Sequence, residues 1–229
     1  MKKAAINGYE IYAFIDRNEL LKKIESLEKI LVAINAEKIL KADQRLKKLV
    51  NNNIGYPDGV GAVLALRQKG LEAVKIPGAE FWLDIIRSYP EKTYYLIGST
   101  QEVIEKTVEK LKVEFPNIQI KGYRNGYINE EDKDSLKKEL VSLQPEVVFV
   151  AQGSPRQEYL MDELMQVHPA LYMGLGGSYD VYCGYKNRAP KFFIKFGLEW
   201  LYRLTKEPTR VGRQMRLVRF LILLLLKKL

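Results

Sequence analysis

The stretch Glu146-Val147-Val148-Phe149-Val150-Ala151-Gln152-Gly153-Ser154-Pro155-Arg156-Gln157-Glu158 restricts the fold more than any other part of this chain. Its first half is an unbroken apolar run of β-branched and aromatic residues, the pattern of a strand buried on both faces. The run stops at Gln152-Gly153, and Ser154-Pro155 then opens an amphipathic segment. Ser154 suits the N-cap, Pro155 the first helical position, and Gln157, three residues on, closes a capping box. Buried strand, tight turn and helix N-terminus, in that order, make half of a parallel crossover unit. In open α/β sheets ligands bind beyond the C-terminal ends of such strands, where free helix N–H groups suit phosphate or carboxylate oxygens.

The rest of the chain repeats this unit. Residues 4–12 read as a short strand or hairpin arm, and 17–29 as a helix whose apolar face is Leu20, Leu21, Ile24 and Leu27. Residues 31–34 form a short buried strand ending at Asn35, a natural N-cap for a helix that runs to about Asn51. Residues 55–61 read as a turn carrying Pro57-Asp58-Gly59, followed by a small-residue helix over 62–68. Further helices are expected over 79–88, 101–114 and 130–142, and further strands over 93–97, 118–122 and 171–173. The alternation predicts an α/β fold: a mainly parallel, Rossmann-like sheet with helices on both faces. The glycine-bearing turns at Gly98, Gly153 and 174–177 should therefore meet at one edge of the sheet as a single cleft. Gly59 and Gly61 let a ligand approach the backbone beside Asp58, and an acid aimed into a cleft is a candidate general base.

Several familiar motifs are excluded. Gly174-Leu175-Gly176-Gly177 fails the dinucleotide spacing, because Tyr179 stands where the third glycine would fall. No Walker-type G-x-x-x-x-G-K-[ST] occurs. Asp132-Lys133-Asp134 matches a metal-holding Asp-x-Asp, but it lies in an acidic helix N-terminus that the macrodipole favours anyway, so no metal site is assigned. His168, the only histidine, precedes Pro169 and reads as a capping or packing residue.

Charge divides the chain in two. The net charge is +9, from 37 Lys/Arg against 28 Asp/Glu, yet residues 190–229 alone hold ten Lys/Arg and two acids. A boundary near 189 thus separates an α/β domain, 1–189, from a basic, apolar helical appendage, 190–229. Pro190 and Pro208 start its two segments, the first rich in aromatic residues. Arg210, Arg213, Arg216 and Arg219 recur every third residue; each step falls about 60° short of a turn, so only two or three neighbours converge on one ligand. The apolar run 220–226 is too short to span a bilayer, and mixed with cations it reads as an interfacial element on an anionic membrane. A helix docked on the core, or on a second copy in a homo-oligomer, is the other reading. The single cysteine, Cys183, and the lack of a signal-like apolar N-terminus point to the cytoplasm, peripheral on the inner membrane face.

The ordered set Asn35-Ala36-Glu37, Pro57-Asp58-Gly59-Val60-Gly61, Gly153-Ser154-Pro155-Arg156-Gln157-Glu158, Gly174-Leu175-Gly176-Gly177-Ser178-Tyr179-Asp180-Val181 and Arg188-Ala189-Pro190 resembles the WecG/TagA/CpsF glycosyltransferases. The resemblance runs from Leu31 to about Phe220. It implies an inverting, metal-independent and cofactor-free transfer from a UDP-sugar to undecaprenyl-diphospho-N-acetylglucosamine, with N-acetylmannosaminuronic acid or N-acetylmannosamine as the sugar. Carried over, Asp58 is the general base and Asn35 positions sugar or acceptor. Gly59, Gly61, Lys75, Gly98, Gly153, Gln157, Gly176, Gly177 and Asp180 fall to substrate binding, and Arg210, Arg213 and Arg216 close over the diphosphate. Ala33 stands where some members carry Thr, and Lys75 where many carry Arg. The rival from another class is a non-enzymatic basic module binding lipid or nucleic acid; the leucine run disfavours nucleic acid, having no role on a phosphate backbone.

Overall fold

Period-two alternation sorts the strand side chains of this chain between two layers. The computed structural model describes residues 2–186, 190, 193 and 211–229. On β3 (Ile30–Ile34), Ile30, Val32 and Ile34 enter one apolar cluster while Leu31 enters the other. On β5 (Thr93–Gly98) and β7 (Val147–Ala151), Tyr95, Ile97, Val148 and Val150 face the first side, and Tyr94, Leu96, Val147 and Phe149 the second. These strands join β4 (Ile54–Pro57), β6 (Gln119–Arg124) and β8 (Leu171–Gly174) in one six-stranded sheet, ordered β4-β3-β8-β7-β5-β6. All five pairings are parallel, as the alternation predicts. A separate hairpin, β1 (Lys3–Ile6) and β2 (Tyr9–Tyr12), turns at Asn7-Gly8, both at positive φ.

The first layer holds α2 (Ala36–Ile39), α3 (Gln44–Asn51), α4 (Val60–Gln68), α7 (Glu130–Leu143) and α8 (Arg156–Met165). The second holds α1 (Arg17–Ile24), α5 (Gly78–Ser88), α6 (Gln101–Glu114) and α9 (Ser178–Tyr182). The single helix expected after Asn35 is two, because Asp43 caps a new start by accepting from the Leu46 amide at 3.0 Å. The expected turn at 55–61 begins as a strand: β4 is an edge strand, the one place where Pro57 costs no ladder bond.

The C-terminal helix α10 (Val211–Leu225) docks one face on the first layer. Phe220 is fully buried and Leu224 nearly so, and the Gln68 side chain donates to the Leu224 carbonyl at 2.6 Å. Gly61 makes this approach possible, since a Cβ there would lie 2.9 Å from Ala36 Cβ and 3.1 Å from Phe220 Cε1. The opposite face leaves Met215, Val218, Leu221, Ile222 and Leu225 exposed. Among the described residues, no helix is long and apolar enough to cross a membrane.

Candidate active site

The parallel register lines up the strand ends. Ile34 pairs with Pro57, Val150 with Gly174, and Gly98 with Ala151. One residue further on, Asn35, Asp58, Leu175, Gln152 and Ser99 form a rim. Backbone bonds hold it: Asp58 N–H to Ile34 O at 2.9 Å, Leu175 to Val150 at 2.7 Å, and Ser99 to Ala151 at 3.1 Å. The turns at 98, 153 and 174–177 thus meet at one edge, as the sequence predicts.

At the β4–β3 end of the rim, the Asp58 carboxylate accepts the Gly78 amide at 2.7 Å. This places its charge against the N-terminus of α5, where the helix dipole favours an anion. The Tyr56 hydroxyl lies beside it: a Cβ on Gly78 would stand 2.7 Å from that oxygen and 3.7 Å from Asp58 Oδ1. Burial first, and the Asp58 charge second, push the Tyr56 phenol well above its ordinary range, so it stays protonated. Its oxygen is buried with no hydrogen-bond partner among the described residues. Asn35 caps α2 through Oδ1, which accepts from the Lys38 amide at 2.9 Å; Nδ2 makes no bond among the described residues. Gly59 fits against Asn35, its absent Cβ only 3.3 Å from Asn35 Cβ. The half-buried Lys75 precedes Ile76, whose amide binds Pro57 O at 2.8 Å, so Lys75 borders the Asp58 turn.

At the other end lies a switch point. The connection after β5 leads outward to β6, and that after β7 leads the opposite way to β8. Right-handed crossovers therefore put α6 and α8 on opposite faces and open a crevice over the ends of β5 and β7. Gly98, at φ +138°, closes its floor: a Cβ would fall 2.4 Å from Ala151 O. Ser99, also at positive φ, donates its hydroxyl to Asp180 Oδ2 at 3.2 Å, and Lys186 pairs with Asp180 Oδ1 at 3.1 Å. Gly153 and Gly176 are at positive φ and, with Gly177, have open space where a side chain would stand.

Gln157 does not close a capping box with Ser154. Pro155 occupies the N-cap of α8 with no side-chain bond, and the Gln157 amide binds Gly153 O at 3.0 Å instead. The side chain of Gln157 is buried, and its Oε1 accepts from both Gly176 N at 2.8 Å and Gly153 N at 3.2 Å. It ties the two turns together rather than opening onto solvent. With those amides occupied, the N–H groups of Ser154 and Gly177 have no bond among the described residues and suit anionic oxygens. Beneath them runs an ion pair that the sequence reading passed over, Lys38 Nζ to Glu158 Oε1 at 2.6 Å. Its signal was available: Glu158 falls on the buried stripe of α8 with Met161 and Leu164, where a lone charge requires a partner.

Of the tail cations, Arg216 pairs with Glu37 Oε1 at 3.0 Å, two residues from Asn35. Arg210 and the Arg213 side chain lie outside the described residues. Asp132 closes a capping box with Asn129. His168 is buried against Pro145 O at 2.8 Å, the packing role read from sequence.

A parallel sheet with a glycine-bearing crevice at its switch point, and an acid on the same rim, is an α/β architecture of the kind that binds ligands beyond its strand ends. The chain belongs to the WecG/TagA/CpsF glycosyl transferase family, whose sequence model matches residues 5–229. It is accordingly a glycosyltransferase of surface-polysaccharide synthesis, acting on a sugar donor and an acceptor.

Proposed function

We propose that the enzyme moves an N-acetylmannosamine-type sugar, as the uronate or the neutral form, from UDP to a polyprenyl-diphosphate-linked N-acetylglucosamine with inversion. The observation that carries this reading is the shared rim. Asp58 stands three strands from Gly153, about 14 Å at ~4.8 Å per strand, the scale of an extended diphosphate-sugar rather than of one sugar ring. In this reading the UDP moiety lies over the β5–β7 crevice, among the open turns at Gly153 and Gly176-Gly177, with Asp180 at its border. The sugar reaches toward Asn35 and Asp58. Asp58 takes the proton of the acceptor hydroxyl as that oxygen bonds to the anomeric carbon. The bond from that carbon to the diphosphate breaks with its electron pair, and UDP leaves. Fixed cations stabilise the charge gained by the diphosphate: Lys75 borders Asp58, and Arg216 sits on the Asn35 helix. Arg210 and Arg213, on the same 190–229 segment of the sequence, are assigned the same role. The exposed apolar face of α10 supports a peripheral membrane location, next to the lipid-borne acceptor.

The test is incubation with UDP-N-acetylmannosamine, or its uronate, and a lipid-linked N-acetylglucosamine, with product analysis by mass and anomeric configuration. Asp58→Asn should lower turnover by at least ~100-fold, the usual weight of a general base. Near-normal rates in that variant would remove Asp58 from the role, and free sugar without a disaccharide product would point to hydrolysis.

A further inference from the structure

We infer that Lys38 and Glu158 are positioning residues, a buried ion pair that locks the Asn35 helix to both glycine turns of the crevice. The two are 120 positions apart in sequence, and their side chains are only 6% and 1% exposed. Glu158 Oε1 accepts from Lys38 Nζ and, at 3.3 Å, from Gln157 Nε2. That second bond orients the Gln157 amide so that its oxygen faces the Gly153 and Gly176 amides. At the other end, the backbone N–H of Lys38 is the group that Asn35 Oδ1 caps. Hydrogen bonds joined through the Lys38, Glu158 and Gln157 side chains therefore connect Asn35 to the turns after β7 and β8.

Two observations separate this path from a plain structural staple. Desolvating a charge pair this completely gains nothing over apolar side chains of similar volume, so stability alone does not call for it. Its ends also coincide with the reactive rim. Gly174 has no room for a Cβ, which would sit 2.3 Å from Gln157 Nε2, so the glycine lets the amide pack directly against β8. Glu158 Oε2, buried and without a partner among the described residues, leaves the carboxylate's hold on this path to Oε1 alone. Both side chains are buried, so the pair is placed to act through Gln157 and Asn35 rather than on donor or acceptor directly. Its effect is to keep Asn35 in register with the turns, and the kinetic part of the argument rests on the transferase reading above.

The test compares the wild-type enzyme with the double variant Lys38→Met/Glu158→Leu and with the single variant Glu158→Gln. The double variant should melt at or above the wild-type temperature, because the apolar pair fills the same space. Amide exchange in peptides covering Gly153 and Gly176 should nevertheless accelerate by at least ~10-fold, since Gln157 is no longer oriented. Transfer kcat should fall by at least ~10-fold while donor KM stays within about threefold, the split expected of misalignment rather than lost binding. A folded double variant with unchanged turn exchange and unchanged kcat would reduce the pair to a structural role. If the double variant does not fold, Glu158→Gln is read by the same measurements and decides in the same way. The exchange comparison needs no substrate, so it settles positioning even where the wild type fails to transfer and the transferase reading falls.

Discussion

Gly98 and Gly176 both take a positive φ at a strand-to-helix turn but differ in what surrounds them. A methyl group on Gly98 would meet the Ala151 carbonyl at 2.4 Å, whereas one on Gly176 would meet no atom within 4 Å. Gly98→Ala must force β5 away from β7 and should cost about 2–4 kcal/mol of unfolding free energy, measured by denaturant titration. Gly176→Ala should cost about 1–2 kcal/mol through backbone handedness alone. It should still weaken UDP binding by at least ~10-fold in calorimetry, because the methyl group enters the crevice. Unchanged UDP affinity in that variant would take Gly176 out of the donor site. In sequence the two glycines look alike, each at a strand-to-helix turn; what separates them is a neighbour 53 residues away in one case and empty space in the other. The same limit hid the Lys38–Glu158 pair, whose partners meet only across the finished fold. Asn35 and Asp58 were legible because the local pattern, a strand followed by a cap or a glycine-bordered acid, already carries their position.

At the scale of elements, α10 is two-sided. Phe220 and Leu224 hold it to α2 and α4, and the outward stripe of Met215, Val218, Ile222 and Leu225 follows helical spacing. Ile222→Glu with Leu225→Glu touches only the outer side, so the change in stability should stay within about 0.5 kcal/mol per site. Binding to vesicles containing anionic lipid should drop by at least ~10-fold in a flotation assay, as buried apolar area and its favourable transfer are lost. Vesicle binding that survives both glutamates would move the membrane contact elsewhere. Removing residues 190–229 is a harsher experiment, since it also uncovers the surface around Gly61 and Ala36 that Phe220 fills. The long helices α6 and α7 were legible to within about two residues at each end, having clear caps and a strong 3.6-residue period. β4 was not, because four residues that include a glycine and a proline carry no strand pattern of their own.

For the whole molecule, tyrosine burial sets the alkaline limit. Burial is the largest cause raising Tyr94, Tyr95 and Tyr172 above the ordinary phenol range, and burial followed by the hydrogen bond to Asp43 pushes Tyr159 up to about 12. An unfolded tyrosine ionises near pH 10. The folded chain therefore retains protons that the unfolded chain releases: its stability is fully present below about pH 10 and declines as pH rises toward the folded values. Tyrosinate absorbance should accordingly rise together with the loss of circular dichroism, as one cooperative step above pH 10. Buried tyrosines that titrated near pH 10 with the dichroism intact would contradict this. The strand order bears on how the chain is made. β8, the last strand among the described residues, lies between β3 and β7, and more than a hundred residues separate it from the end of β4. At about 5–20 residues per second, the ribosome needs on the order of ten seconds to cover that interval. From the completion of β7 at Ala151 until Leu171 is made, the nascent chain carries two half-sheets with bare inner edges and no seam between them. Synthesis of this chain therefore passes through a stage of exposed sheet edges, which closes when Leu171–Gly174 slides into the gap.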